Sequence, residues 1–310
     1  MKIVKMIPVP ICGLILGLFG LGSLLQPYSE EAEMACGVVG TILGILFLFS
    51  VFAEFRKFKA AMQNPVMASV FCAFPMALML FSTYCMPWFG AGVARVVWYT
   101  AIAFHVIMII YFTVKFIFKG ELKKVFASYF IVYCGIVMAS MTAPAFNAAE
   151  LGFVIFWFGF AALIIFLIMV TIRYATVPVP DPAKPLICIY AAPVSLCTAG
   201  YTQSVMPKSL LFLTVMWILG TFLFVFACVK FLQYLKLPFF PSCTAYTFPM
   251  VITAVASKQF MECSAAMQHP MTFLAPIVII ETVIAVVTTL YVLIRYLVFL
   301  FSTLKGEPQE

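Results

Sequence analysis

Apolar residues run along this chain in ten long stretches that are separated by short polar loops. Each stretch has roughly 18 to 28 residues, which is long enough for an α-helix to cross the hydrocarbon core of a bilayer. The ten predicted transmembrane helices cover 8–25, 33–54, 65–84, 91–118, 125–144, 148–172, 185–204, 208–230, 241–257 and 271–298. No stretch remains for a soluble domain, so residues 1–310 are predicted to form one transmembrane domain.

Prolines mark a repeat within this pattern. Four of the odd-numbered stretches open on a proline and carry a second proline near their start. The entry prolines are Pro8, Pro65, Pro185 and Pro241, and the inner prolines are Pro10, Pro75, Pro193 and Pro249. A fifth copy lacks both prolines, begins near Lys124 and has Gly135 at the inner position. Periods of this size indicate repeat architectures. We therefore predict five helical hairpins, with units near 1–60, 61–120, 121–180, 181–236 and 237–302.

The two helices of each hairpin differ in composition. Even-numbered helices consist mainly of large aliphatic and aromatic residues, which suit contact with lipid. Odd-numbered helices are shorter and richer in glycine, alanine, serine, threonine and proline, as Gly13 and Gly17 show in the first. Small residues allow close helix contact, and a proline inside a membrane helix leaves a carbonyl that protein or a water-filled cavity must satisfy.

This difference predicts an all-α integral membrane fold in which the five odd helices surround a central pore with quasi-five-fold symmetry. Pro75, Pro193 and Pro249 are predicted to kink three of these inner helices at similar depth. The alternative is a solid bundle that has the same kinks but no transport path.

Composition supports the membrane assignment, because 65% of the residues are hydrophobic and only 9% are charged. The net charge of +7 is unevenly distributed. All but three of the 18 lysines and arginines lie on the side that holds both termini; the exceptions are Arg95, Lys208 and Lys258. This bias predicts cytoplasmic termini in the cell membrane. A role in attracting anions is the alternative explanation for the basic excess. No pattern indicates nucleic acid binding.

The predicted inner helices contain no acidic or basic residue and no histidine within their spans. A proton relay or a ring of fixed charges is therefore not expected in the pore. Five helix N-termini facing the basic side favour an anion, with selectivity that follows ease of dehydration. No metal-ligand spacing or catalytic set is present, and the ten cysteines form no CxxC pair. We predict no enzyme activity, no metal and no cofactor.

Several motifs resemble the tellurite-resistance/dicarboxylate transporter family, which includes bacterial TehA and the plant slow-type guard-cell anion channels. The resemblance rests on the order and spacing of four segments across nearly the whole chain. These are Pro8-Val-Pro-Ile-Cys-Gly-Leu-Ile-Leu-Gly-Leu18, Asn64-Pro-Val, Ala192-Pro-Val and Ala245-Tyr-Thr-Phe-Pro-Met250. It implies a homotrimer in which each protomer has its own pore, occluded midway by a phenylalanine of the ninth helix.

Phe248 occupies the place of that gating phenylalanine, beside Pro249. Phe74, which precedes Pro75, is its counterpart in the second unit and a second gate candidate. Gly13 and Gly17 match the glycines of the family's first helix, where they keep the lumen open or allow close packing. The remaining candidates for kinks or pore lining are Pro193, Gly135 and Thr247.

Three ionisable residues are candidates for regulation. Glu281 and His105 lie within predicted outer helices, where an ionisable side chain is by default a functional candidate. A hydrogen bond between helices or a subunit contact is the alternative for both. Arg95, with Trp88, Trp98 and Tyr99 around it, is interpreted as an anchor at the membrane interface. Its alternative role is an outer anion-collecting site.

The sequence thus favours an anion channel or channel-like exporter for small anions such as chloride, nitrate, sulfite or a dicarboxylate. The alternative is a proton-coupled carrier for C4-dicarboxylates or oxyanions, including export of the tellurite-resistance type. Uphill uptake driven by a pH gradient distinguishes the carrier. A membrane-embedded enzyme or a non-transporting scaffold is a third class, and a lack of anion conductance would favour it.

Overall fold

The computed structural model describes residues 7–118 and 120–305, and within this part the regular secondary structure is entirely helical, with no β-strand. Lys2, Lys5 and Lys119, which count toward the charge bias, lie outside the described residues. The α-helices are α1 (Ile11–Leu25), α2 (Glu30–Ala53), α3 (Phe55–Ala61), α4 (Pro65–Phe71), α5 (Ala73–Phe112), α6 (Tyr129–Tyr133), α7 (Val137–Thr142), α8 (Ala149–Thr176), α9 (Ala191–Ser204), α10 (Leu210–Tyr234), α11 (Phe248–Ala266) and α12 (Ala275–Lys305).

Short segments of other helix types join these α-helices. A π-helical turn, Thr113–Ile117, continues α5. The 3₁₀ segments are Leu122–Lys124, Ala143–Phe146, Asp181–Tyr190, Pro241–Tyr246 and Thr272–Leu274. Two of them, Asp181–Tyr190 and Pro241–Tyr246, lead directly toward α9 and α11, so the predicted seventh and ninth helices begin as 3₁₀ and continue as α.

Six helical spans in the described residues are long and apolar enough to cross a membrane. They are Glu30–Ala53, Pro65–Ile117, Ala149–Thr176, Asp181–Ser204, Leu210–Tyr234 and Thr272–Thr303. The chain is therefore a multi-pass helical membrane protein. The count of ten stays a prediction, because α1 has only 15 residues and the fifth predicted helix is divided between α6, α7 and a 3₁₀ turn.

The third and fourth predicted helices are joined without a loop in α5, while the start of the third forms the separate α4. α5 runs for 40 residues and is non-helical only at Gly90, with φ 79° and ψ 162°. Side chains with a Cβ rarely adopt this backbone conformation, whereas glycine adopts it readily. The loop expected between 84 and 91 is therefore reduced to a sharp bend at one glycine.

Polar caps define where several helices begin. The Asn64 side-chain oxygen accepts hydrogen bonds from the backbone N–H of Val66 at 2.9 Å and of Met67 at 3.3 Å. Pro65 then occupies the first position of α4, where its missing N–H costs nothing. Ser29 caps α2 in the same way by accepting from Ala32 N–H at 3.1 Å. These caps explain why the polar loops end where they do.

Five helices contact one another in cyclic order. α1 contacts α5, α5 contacts α7, α7 contacts α9, α9 contacts α11, and α11 contacts α1 again. The remaining long helices pack outside this ring. In the most apolar stretch of the Asp181–Ser204 span 89% of the residues are buried, whereas in that of Leu210–Tyr234 only 33% are buried. The small-residue segments therefore lie inside and the bulky ones outside, while the quasi-five-fold symmetry stays a prediction.

The inner prolines stand at the beginnings of helices. Pro75 and Pro193 are the third residues of α5 and α9, and Pro249 is the second residue of α11. A proline is tolerated in the first turn, where its missing N–H has no partner within the helix. The regular α-helix is interrupted just before each of these prolines, at Cys72 or by a 3₁₀ segment, and the kinks at similar depth stay a prediction.

Candidate functional site

A cavity lies inside the ring, with a volume of about 600 Å³ that includes space open to solvent. Every inner segment contributes to its wall, beginning at Pro10, Val70, Phe130, Leu186 and Ser242. None of the residues that line it is charged, and Ser242 and Thr244 supply its side-chain hydroxyls. The wall also includes the first or second residues of three helices, Ala73 of α5, Ala192 of α9 and Phe248 of α11. The positive ends of these helix dipoles therefore lie at the cavity wall.

Phe248 lies in this wall and is itself 6% exposed. It is the first residue of α11, directly after Thr247, whose φ of −85° and ψ of −80° interrupt the helical path. Opposite its ring is Gly20 of α1, where a Cβ would lie 3.5 Å from Phe248 Cδ2. The ring of Phe248 therefore packs close to α1 at Gly20.

Thr247 holds the start of α11 against α1. Its hydroxyl oxygen is 3.0 Å from the carbonyl oxygen of Gly13 and 2.8 Å from that of Thr244, so the two carbonyls share its proton. A Cβ on Gly17 would lie 2.5 Å from Thr247 Oγ1 and 3.3 Å from Phe248 N. The structure therefore places Thr247 and Gly17 in a tight helix contact, while Gly13 takes part both in this contact and in the cavity wall.

Phe74, the second gate candidate, points away from the cavity. Its ring centroid is 5.5 Å from that of Phe47 on α2 and 6.1 Å from that of Phe71, which it stacks on. Phe74 and Pro75 are absent from the residues that line the cavity, whereas the neighbouring Ala73 and Met76 are present. Phe74 thus belongs to an aromatic cluster between inner and outer helices.

Gly135 and Pro193 both lie in the cavity wall. Gly135 occupies the turn between α6 and α7, where a Cβ would collide with the Ile131 carbonyl oxygen and lie 2.5 Å from Met76 Sδ. Pro193 follows the 3₁₀ segment that leads into α9. The unit without prolines thus uses a glycine at a break in the same wall.

The three candidates for regulation lie outside the cavity wall. His105 is buried in α5, and its Nε2 is 2.9 Å from the Val132 carbonyl oxygen, which is a hydrogen bond between helices.

Arg95 is exposed, five residues after the bend at Gly90. Trp98, expected beside Arg95 at the interface, is instead fully buried and donates to Thr142 Oγ1 at 2.8 Å. Glu281 is buried in α12, which packs against α11.

Two charged residues of an inner helix lie beyond the predicted span. α11 continues to Ala266, nine residues past the predicted end at 257, and so includes Lys258 and Glu262. Lys258 is partly buried, with its Nζ 5.7 Å from the centroid of the Tyr28 ring, and Glu262 is exposed. The predicted helix ends at 257 because the apolar stretch stops at these charged residues. A helix can continue past the end of an apolar stretch, as α11 does.

One of the basic residues that contribute to the charge bias is buried in the structure. Arg173 of α8 is 2% exposed, and its guanidinium carbon lies 4.1 Å from the centroid of the Phe126 ring. Its NH2 group donates to the Lys123 carbonyl oxygen at 3.4 Å. Arg173 therefore fastens the segment before α6 to α8, a structural role away from the cavity.

The described part is thus a helical membrane bundle with an uncharged internal cavity, which is the general form of a channel or transporter. A family model described as voltage-dependent anion channel (SLAC1) matches residues 7–297, nearly the whole chain, so the protein belongs to this family. The resemblance seen in the sequence is confirmed, because this is the tellurite-resistance/dicarboxylate transporter family. Membership implies an anion channel or transporter rather than an enzyme. A comparison with curated proteins finds no match.

Proposed function

We propose that the protein is an anion channel whose pore runs through the ring of α1, α5, α7, α9 and α11, and that Phe248 is its gate. The observation that carries the proposal is the position of Phe248 in the wall of a cavity to which every inner segment contributes. A large apolar ring in such a cavity excludes water and hydrated ions. Passage requires the ring to move away from Gly20.

The uncharged wall favours weak, general selectivity for anions. Without fixed basic groups, an ion is attracted by the helix N-termini and must lose much of its water to pass the apolar wall. We therefore propose that flux follows ease of dehydration, with nitrate ahead of chloride, and with sulfite and malate slower. Pro193, Pro249 and Gly135 shape the wall, and Thr247 with Gly17 fixes the start of α11.

The setting of the pore is part of the same proposal. The channel is a homotrimer in the cell membrane with one pore per protomer, and both termini are cytoplasmic. Exposed apolar side chains on the outer helices, such as Phe49, Ile165 and Phe222, suit lipid or neighbouring subunits. Proton-coupled carriage of a dicarboxylate is less well supported, because no acidic side chain lies in the cavity wall to carry the proton with the anion.

Substitution of the gate tests the proposal. Wild type and Phe248→Ala are purified, reconstituted in liposomes and compared for efflux of nitrate, chloride, sulfite and malate. Phe248→Ala is expected to raise flux roughly tenfold or more, the factor that accompanies a barrier about 1.4 kcal/mol lower. Unchanged flux of all four anions in Phe248→Ala would reject Phe248 as the gate. Uphill uptake driven by a pH gradient would establish a coupled carrier instead.

A further inference from the structure

The carboxyl group of Glu281 is buried within the membrane-spanning part of α12. The residue is 1% exposed, and its oxygens make no hydrogen bond of ordinary geometry with a described residue, although the Ser257 side chain lies close to the carboxyl group. The ion pairs present in that part of the chain involve Glu54, Glu121 and Asp181, and none involves Glu281. An ionised carboxylate without a partner is very costly in a low-dielectric interior, whereas a protonated one is tolerated.

The polar side chain that faces Glu281 belongs to the helix that carries the gate. This is Ser257 of α11, whose hydroxyl oxygen accepts a hydrogen bond from Trp217 Nε1 at 2.9 Å. Ser257 is nine residues after Phe248, and at about 100° per residue the two side chains leave opposite faces of α11. Phe248 faces the cavity, so Glu281 contacts the same helix from behind.

Other hydroxyl groups surround this contact. The hydroxyl oxygens of Ser195 and Thr253 lie 3.1 Å apart between α9 and α11, and a narrow space too small for a water molecule is lined by both residues together with Trp217 and Ser257. Thr221, on α10, lines the same space, and its buried hydroxyl oxygen has no partner among the described residues. Ser257, the side chain that faces Glu281, is thus part of a group of hydroxyls on α9, α10 and α11.

No charged group faces Glu281 from the elements packed around it in the described part. From α10 the Cys228 thiol, an uncharged group, interacts with Glu281. On α11, Lys258 packs over the Tyr28 ring and Glu262 is exposed.

The remaining titratable groups packed on α12 lie farther along that helix. α1 presents Cys12 to Tyr296, and the Pro241–Tyr246 segment presents Tyr246 to Tyr291. Tyr291 is ten residues from Glu281, about 15 Å along the helix. A proton is therefore the ligand that matches this isolated carboxyl.

We propose that Glu281 is a proton-binding site behind the gate helix, and that the bound proton holds α11 against α12 in the closed arrangement. Loss of the proton leaves a charge that must be hydrated or paired, which favours an arrangement with α11 separated from α12. Because α11 begins with Phe248, this movement opens the gate. The link to flux rests on the proposed function of Phe248, whereas the proton site itself does not.

The direction of the pH effect follows from this arrangement. The closed state binds one more proton than the open state, so flux rises as pH increases. With one proton released, the ratio of open to closed changes by at most about tenfold per pH unit. Glu281→Gln keeps the shape of the protonated side chain and cannot lose a proton, so it is expected to keep flux low and independent of pH.

Two measurements test the proposal separately from the gate. The first is the infrared difference spectrum between wild type and Glu281→Gln, in the region where a protonated carboxylic acid absorbs. A band present in wild type and lost in the variant supports the proton site, and its absence at neutral pH overturns it. This result does not depend on transport.

The second measurement is chloride flux against pH in liposomes, for wild type, Glu281→Gln and Thr289→Val. Thr289 is a matched control, because it is another buried, unpartnered oxygen on α12 that cannot titrate near neutral pH. A rise with pH in wild type and Thr289→Val, absent in Glu281→Gln, supports the proposal. The same rise in all three proteins, or uphill uptake that Glu281→Gln abolishes, overturns proton-linked gating. If either of these outcomes is found and Phe248→Ala still has high flux, the role of Phe248 as the gate is retained and only the role of Glu281 is rejected.

Discussion

The tripeptide Phe-Pro-Met occurs twice in inner segments, at 74–76 and at 248–250, with opposite orientations. In α11 the phenylalanine lines the cavity and Met250 is buried, with its sulfur 4.0 Å from Cys228 Sγ. In α5 Met76 lines the cavity, and Phe74 packs against Phe47 and Phe71. Identical local sequences therefore place a ring in the cavity once and in an aromatic cluster once.

The difference arises from where each helix begins. Phe248 is the first residue of α11, after a 3₁₀ segment, whereas Phe74 is the second residue of α5, after the turn at Cys72. One position corresponds to a rotation of about 100° around the helix axis. Ala73, the first residue of α5, accordingly lines the cavity as Phe248 does. In α5 and α11 the first residue after the break lines the cavity, whereas in α9 it is the second, Ala192, so the tripeptide alone does not determine which side chain faces the cavity.

The largest expected effect on stability comes from Phe74→Ala. Removal of this buried ring from its cluster is expected to lower the free energy of unfolding by about 3–5 kcal/mol. Phe248→Ala should cost less, because its ring already borders empty space. Thermal unfolding of both variants in the same detergent measures the difference. Equal loss in the two variants would mean that the two phenylalanines have equivalent surroundings.

A smaller effect is expected from Gly17→Ala, which tests how the start of α11 is held. The added methyl group would lie 2.5 Å from Thr247 Oγ1, and forcing it into this contact should cost about 1–3 kcal/mol. Gly44→Ala in α2 is the control, because its Cβ would meet nothing within 4 Å. The control should be neutral or slightly stabilising, since alanine favours helix more than glycine. Similar unfolding temperatures for the two variants would argue against a tight contact at Gly17.

The smallest expected effect is a change in chloride flux when the phenylalanine is moved from position 248 to position 73, the first residue of α5. Ala73→Phe, made in a Phe248→Ala protein, puts a phenylalanine at the first residue of α5, which faces the same cavity. Chloride flux is expected to fall by on the order of fivefold, equal to about 1 kcal/mol of barrier. Ala77→Phe, at a buried position outside the cavity wall, is the comparison. Flux that is lowered equally by both would indicate general damage to the bundle.

Much of the fold could be predicted from the sequence. The apolar stretches, the contrast between small and bulky segments and the entry prolines indicated a helical membrane protein with inner and outer helices. The helix breaks were harder to place. Proline signals a nearby break, but whether the preceding residues are α or 3₁₀ depends on tertiary packing. The ten-helix count and the division into five units stay predictions.

The candidate site was less predictable, for reasons that particular residues show. Phe74 and Phe248 precede identical residues, so no local signal separates them, and a shift of one residue in helix start reverses their roles. Thr247 is a candidate for kinks or pore lining as a small hydroxyl residue of the ninth helix, and its hydroxyl group donates to the Gly13 carbonyl in a helix contact. Lys258 was not assigned to the ninth predicted helix, because its own charge ends the apolar stretch at 257. Side-chain direction within each segment therefore required the three-dimensional packing.

The most direct test compares chloride current through Phe248→Ala and Phe74→Ala in the same planar bilayer system, with wild type as reference. Both substitutions remove a buried phenylalanine that precedes a proline, but only one of these rings lines the cavity. If Phe248 is the gate, the current increases strongly in Phe248→Ala and does not increase in Phe74→Ala. Equal currents in the two variants, or an increase in Phe74→Ala alone, would contradict it.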